Sequence, residues 1–227
     1  MKGNTKKLKN LFGLFGAGGH GRETMDQIKS LIQDKLIDLE SENTFFVESK
    51  KQKDLINGIS VLTKDEFIKL DAEKKMFNIS ISDRLERENF AKEFCSIGCE
   101  PLSVISKLSD IGNENIIGVG AIISQFSIIT TNVKIGNFFQ LNRHASVSHD
   151  CIIGDYVTFA PYATCSGNVV IEDGAYIGAG AIIKQGSSMN PLTIGKNAII
   201  GMGAIVTKDV EPNSTVIGNP AKLIKRK

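Results

Sequence analysis

Residues 105–183 read ISKLSDIGNENIIGVGAIISQFSIITTNVKIGNFFQLNRHASVSHDCIIGDYVTFAPYATCSGNVVIEDGAYIGAGAII. Every sixth residue gives Ile105, Ile111, Ile117, Ile123, Ile129, Ile135, Leu141, Val147, Ile153, Phe159, Cys165, Ile171, Ile177 and Ile183, fourteen apolar residues in unbroken register. After a short insertion the beat returns at Ile194, Ile200 and Val206. A helix repeats at about 3.6 residues and an ordinary strand at about 2, so neither sustains a period of six. A parallel β-helix does: each unit supplies one short strand and one corner, and three units close a coil of about eighteen residues. Stacked coils bury a continuous apolar column that no single coil buries alone. The residue after the beat is often small (Gly112, Gly118, Ser124, Gly136, Ser148, Gly154, Ala160, Ser166, Gly178). It is expected to let the backbone turn tightly.

The rest of the 227-residue chain leaves room for a second domain. With 41% hydrophobic residues and a net charge of +2, the composition is that of a soluble globular protein with no electrostatic bias toward nucleic acid. The basic ends, MKGNTKK and KLIKRK, read as solvated tails. No stretch is long enough to span a membrane. LFGLFGAGG is too short and glycine-broken for a signal peptide and reads as a buried first strand. Cys95, Cys99, Cys151 and Cys165 lack CxxC spacing, Cys165 falls on the inward beat, and free thiols suit a reducing cytoplasm.

Residues 10–21, NLFGLFGAGGHG, place Gly16-x-Gly18-x-x-Gly21 between a strand and RETMDQIKSLIQDKL, where Met25, Ile28, Ile32 and Leu36 share a helical face. Strand, glycine turn and helix are the context in which this motif approaches a phosphate. TFFVESK is a second strand ending in Glu48, where an acidic side chain meets a ribose hydroxyl. INGISVLTKDEFIKL, KMFNISISD, RLERENFAKEFCSIG and EPLSVIS continue the alternation. The expectation is a small parallel sheet covered by helices over residues 1–104, then the β-helix over 105–227. The run KQGSSMNPLT (184–193) should project as a loop, and VIGNPAK should cap the last coil.

Of three histidines, His144 and His149 lie in neighbouring repeat units and His20 lies in the other domain, which argues against a three-histidine zinc site. His149 and Asp150 fall at a corner, with His144 expected at the matching corner of the preceding unit. A corner imidazole beside a carboxylate suits a general base. A surface histidine with an incidental aspartate is the competing reading.

With GAGGHG, the six-residue repeat, SHDCIIGD, CSGNV and VIGNPAK in this order, the chain resembles the bacterial sugar acyltransferases of the PglD/NeuD type over essentially its whole length. The resemblance implies a Rossmann-like nucleotide-sugar-binding domain joined to a left-handed β-helix. It further implies acetyl-CoA as co-substrate without a metal, a cytoplasmic homotrimer, and coenzyme A between adjacent β-helices. His149 matches the family's catalytic base, Asp150 its acidic partner and Gly167 the glycine whose N–H faces the thioester oxygen. Ala179 and Met202 match coenzyme A contacts. Ala17, Gly18 and Gly19 match the nucleotide-sugar loop, and Glu48 and Ser49 the acidic pair after the second strand. Three positions depart from the pattern: Ser49 replaces the second acid, Ser82 a glycine after the third strand, and Thr158 a histidine that some members place near coenzyme A.

The implied function is N-acetylation of a nucleotide-linked amino-deoxysugar, a 4-amino sugar above all, for surface glycan synthesis. O-acetylation of a sialic acid or polysaccharide hydroxyl would use the same base. A non-catalytic sugar-binding scaffold is the alternative from another class.

Overall fold

The computed structural model describes residues 8–224 and divides the chain into two compact units, Met1–Val104 and Ile105–Lys227. Most of the two basic ends lies outside the described residues.

The first unit is built on β1 (Leu8–Phe15), α1 (Gly19–Gln33), β2 (Thr44–Glu48), β3 (Leu55–Ile56), β4 (Ile59–Thr63), α2 (Lys64–Lys69), β5 (Ala72–Ile79), α3 (Arg84–Ser96) and β6 (Glu100–Pro101). The sheet order is β3-β4-β2-β1-β5-β6, parallel except for the antiparallel β3–β4 pair. Sequence alone read that hairpin as a single strand; Asn57 and Gly58, both at positive φ, turn the chain there. Helix α1 ends at Gln33, so Leu36 is 58% exposed rather than on the buried face, which Met25, Ile28 and Leu31 form. Phe15 anchors the opposite side of β1, its ring 4.4 Å from Phe94, 5.1 Å from Phe90 and 6.4 Å from both Phe67 and Phe77. Helix α2 opens with a capping box between Thr63 and Glu66, and α3 with Asp83 accepting from the Glu86 N–H at 2.9 Å.

The second unit is the parallel β-helix. Its strands stack in three sheets, and the partners lie one coil apart: Ile123 opposite Leu141, Ile129 opposite Val147, Ile135 opposite Ile153. The six-residue beat from Ile123 to Val206 points inward and is buried throughout, while Ile105, Ile111 and Ile117 are partly buried at the first coil. A second inward layer, two residues before the beat, comprises Ala121, Val133, Phe139, Ala145, Cys151, Val157, Ala163, Val169, Ala175, Ala181, Leu192, Ala198 and Ala204. The sequence carries this layer at the same period, and the single-beat reading missed it.

The role expected of the small residue after the beat is corrected. The left-handed backbone falls two residues later, at Glu114, Gly120, Phe126, Asn132, Phe138, His144, Asp150, Tyr156, Tyr162, Asn168, Gly174 and Gly180. The glycines after the beat are demanded by the neighbouring coil: a Cβ at Gly136 would lie 2.7 Å from the Asp155 nitrogen, and one at Gly154 2.6 Å from the Asp173 nitrogen. His144 takes the matching corner of the preceding unit, as expected, and the register specifies how. This residue occupies the left-handed corner position equivalent to Asp150, whereas Arg143 is the equivalent of His149.

The 184–193 insertion leaves the corner after Ile183 as expected. At the end of the chain, Thr215–Ile217 pairs parallel with Ile199–Ile200 and antiparallel with Lys222–Leu223, so the VIGNPAK segment does fold over the last coil.

Candidate active site

Two clefts open at the C-terminal ends of β1, β2 and β5, where a parallel sheet presents its loops and helix N-termini. One, of about 500 Å³, is lined by Ala17, Gly18, Gly19, Glu48, Ser49 and Ser82, all six positions singled out for the nucleotide sugar, together with His20, Ser80, Glu86 and Phe90. The other, of about 430 Å³, shares Ala17, Gly18 and Glu48 and adds Arg22, Lys50, Gln52, Lys53 and Asn57. This basic and amide-bearing lining was missed; KKQK after β2 was its signal.

The glycines of the loop divide their work. Gly16 has φ +93, and at Gly21 any side chain would strike the Gly16 carbonyl, so both shape the turn. At Gly18 and Gly19 a Cβ would meet nothing within 4 Å, so these two leave bare backbone beside the clefts. Glu48 is tied to this loop: its Oε1 accepts from the Ala17 N–H at 2.6 Å, which aims the carboxylate across the mouth shared by both clefts.

His149 and Asp150 occupy one corner of the β-helix. Asp150 has φ 59, a conformation Asp tolerates better than most residues. The turn brings its Oδ2 to 2.7 Å from His149 Nδ1, with the two side chains 44% and 50% exposed. A carboxylate only accepts, so in the neutral imidazole Nδ1 carries the proton and Nε2 keeps the lone pair.

Gly167 lies one coil further along the same edge. A Cβ there would come within 2.6 Å of His149 Nε2, so the missing side chain is what allows the imidazole to lie across this position. At the next corner, the Val119, Asn137 and Asp155 N–H groups each donate to a side chain one coil on, namely Asn137, Asp155 and Asp173. The Gly167 N–H has no such partner among the described residues. A base and an unspent backbone donor thus stand side by side, the pairing that acyl transfer requires.

Behind this corner Cys151 and Cys165 are both buried, their sulfurs 3.9 Å apart. The Cys151 contact and burial push the Cys165 thiol well above the usual range. Ala179 and Met202 stand on a different edge, the corner after Ile177 and Ile200, joined by a 2.9 Å hydrogen bond from the Gly203 N–H to the Ala179 carbonyl. A single chain therefore does not bring them to the His149 corner. His144, on the edge of Ala179, is stacked between Phe126 and Tyr162 at 5.3 and 4.7 Å. Thr158 is buried in the strand Thr158–Phe159, and its hydroxyl lacks a partner among the described residues. No cluster of three or more His, Cys, Asp or Glu able to hold a metal occurs among the described residues, nor does a helix long and apolar enough to cross a membrane.

A glycine-loop α/β unit followed by a hexapeptide β-helix with a corner His–Asp pair defines a sugar acyltransferase of the hexapeptide-repeat class. No protein-family profile matches the chain. It is 46% identical over 217 residues to GDP-perosamine N-acetyltransferase of Escherichia coli O157:H7, covering 96% of this chain and 97% of that protein. Among solved structures, WeeI from Acinetobacter baumannii AYE superposes with a TM-score of 0.89 at 42% identity, covering 95% of this chain and all of that one. PerB from Caulobacter crescentus, solved with CoA and GDP-perosamine, shares the fold, with a TM-score of 0.82 at 22% identity over 95% of this chain and 97% of that one. The chain belongs to the PglD/NeuD-type sugar acetyltransferases, the acetyl-CoA-dependent N-acetyltransferases of nucleotide-linked amino sugars, with their left-handed β-helix.

Proposed function

We propose that this chain transfers the acetyl group of acetyl-CoA to the amino group of a GDP-linked 4-amino-deoxysugar in the cytoplasm. The observation that carries the chemistry is the His149 imidazole, held through Nδ1 by Asp150 at 2.7 Å and lying against the bare Cα of Gly167, whose N–H has no partner among the described residues. The amine lone pair forms the N–C bond to the thioester carbonyl while Nε2 of His149 takes the amine proton. Asp150 supports the imidazolium that results, and the Gly167 N–H stabilises the oxyanion. The C–S bond then breaks, and the CoA thiolate leaves without a strong acid. A positioned base is worth about 10²–10⁴-fold, and one oxyanion donor about 3 kcal/mol.

The 1–104 unit supplies the nucleotide-sugar site. A nucleoside diphosphate fits the bare Gly18–Gly19 backbone at the α1 N-terminus, with its ribose on Glu48. The GDP assignment follows the E. coli relative. The 105–227 unit supplies the acetyl transfer, and a homotrimer completes it. Ala179 and Met202, read as coenzyme A contacts, lie on another edge than His149, so a neighbouring copy would have to present them. The two faces that meet at the His149 edge carry outward Ile128 (41% exposed) and Ile182 (44%) on one side, Ile116 (63%) and Ile152 (52%) on the other, which suits burial between copies.

The test is CoA release from acetyl-CoA with GDP-, UDP- and dTDP-linked 4-amino sugars, with His149→Ala in parallel. Turnover with the GDP sugar that the variant loses supports the reading. Turnover with none of the panel would move the acceptor to a hydroxyl, and a monomer by light scattering would sink the shared coenzyme site.

A further inference from the structure

The interruption of the repeat at 184–193 sits on the edge that carries the reacting groups. Positions 149 and 167 are one coil apart, and Gln185 follows at the same interval, so the loop starts about two strand spacings, some 10 Å, along the edge from His149. Both of its feet are tied to the corner beneath. The Gly186 N–H donates to the Gly167 carbonyl at 3.1 Å, and the Leu192 N–H to the Asn168 carbonyl at 3.3 Å. Asn168 in turn donates to the His149 carbonyl at 3.0 Å. The neck is tight: a Cβ on Gly186 would sit 2.5 Å from the Leu192 nitrogen. The tip is closed by its own bonds, Ser187 N–H to the Asn190 carbonyl at 3.0 Å and Asn190 N–H to the Ser187 carbonyl at 3.2 Å. This built loop holds Met189 94% exposed, an unbranched thioether side chain suited to irregular apolar surfaces.

The direction of the chemistry along the edge says what meets the loop. With the acetyl oxygen on the Gly167 N–H, the acceptor amine must lie at His149, on the side of Gly167 away from the loop. The thioester sulfur, and the chain beyond it, leave on the side that the imidazole does not occupy. We propose that residues 184–191 form a contact for the pantetheine arm of acetyl-CoA, with Met189 packing on its apolar carbons and Gln185 and Ser188 meeting its amides. The inference rests on the assignment of His149 and Gly167 as the reacting corner.

Two variants test it. Met189→Ser removes only the exposed side chain. Deleting residues 187–191 leaves KQGLT between Ile183 and Ile194 and restores the six-residue spacing. The dissociation constant of acetyl-CoA, measured calorimetrically, and its KM should rise about fivefold for Met189→Ser and about tenfold for the deletion, with kcat and the amino-sugar KM unchanged. Unchanged acetyl-CoA affinity in Met189→Ser and in a folded deletion variant overturns the proposal, as does a rise confined to the amino-sugar KM. His149→Ala separates the two readings. It should cut turnover about 10²–10⁴-fold at unaltered acetyl-CoA affinity, and full turnover in that variant would defeat the corner assignment whatever the loop variants do.

Discussion

The imidazole of His149 lies across Gly167, one coil further along the same edge, at a point where a single added methyl would come within 2.6 Å of Nε2. The imidazole and the Gly167 backbone, whose N–H has no partner among the described residues, therefore share one small space.

Gly167→Ala keeps the backbone N–H and both members of the His–Asp pair, yet it should behave nearly as badly as His149→Ala. The methyl must push the ring off the acceptor's path. We expect kcat to fall about 10²-fold in Gly167→Ala, comparable with loss of a general base, with the nucleotide-sugar KM unchanged. Activity within a few-fold of the parent would mean that the ring is placed by something other than this contact.

Glu48 makes a separable prediction. Its Oε1 already accepts from the Ala17 N–H at 2.6 Å, so the side chain both orders the glycine loop and offers its second oxygen to the cleft. Glu48→Ala should raise the nucleotide-sugar KM by about tenfold or more, the cost of one charge-assisted hydrogen bond, and leave acetyl-CoA affinity unaltered. Equal losses for both substrates would show that the residue matters for folding rather than for the sugar.

The β-helix was legible in the sequence because each coil must repeat the same inward residue, and fourteen positions obey that rule. The cleft beside the glycine loop was legible as a cleft because a glycine turn between strand and helix is short-range geometry: the six positions singled out in the sequence line it together. The corners were less so. Left-handed backbone at Phe126, Phe138, His144, Tyr156 and Tyr162 gives no glycine signal, because stacking of these side chains between coils sits beside the strain, as in Phe138 on Tyr156 at 5.3 Å. The lining of the second cleft was missed because Lys50, Gln52, Lys53 and Asn57 look like an ordinary solvated turn until the hairpin folds them together.

The thiols give a chemical check on the buried side of the corner. Cys95 is exposed, whereas Cys99, Cys151 and Cys165 are buried. A thiol reagent should titrate one group in the native protein and four after denaturation. Rapid modification of Cys151 or Cys165 in the native state would mean that the coil opens at the His149 corner.

The two kinds of glycine in the repeat can be told apart by stability. Gly180 has φ +65 and open space around its missing Cβ, so Gly180→Ala should cost only the left-handed penalty, about 1 kcal/mol. Gly136 has ordinary backbone, but a Cβ there would lie 2.7 Å from both the Asp155 nitrogen and the Gly154 carbonyl carbon. Those atoms belong to the next coil, whose position is fixed by the Gly136 N–H bond to the Ile153 carbonyl at 2.9 Å. Neither coil can move without breaking a ladder, so Gly136→Ala should cost about 2–3 kcal/mol, in the range of overpacked cores. Urea midpoints at a common m-value measure both. If Gly180→Ala proved the more damaging, turning rather than stacking would be the reason the repeat favours glycine.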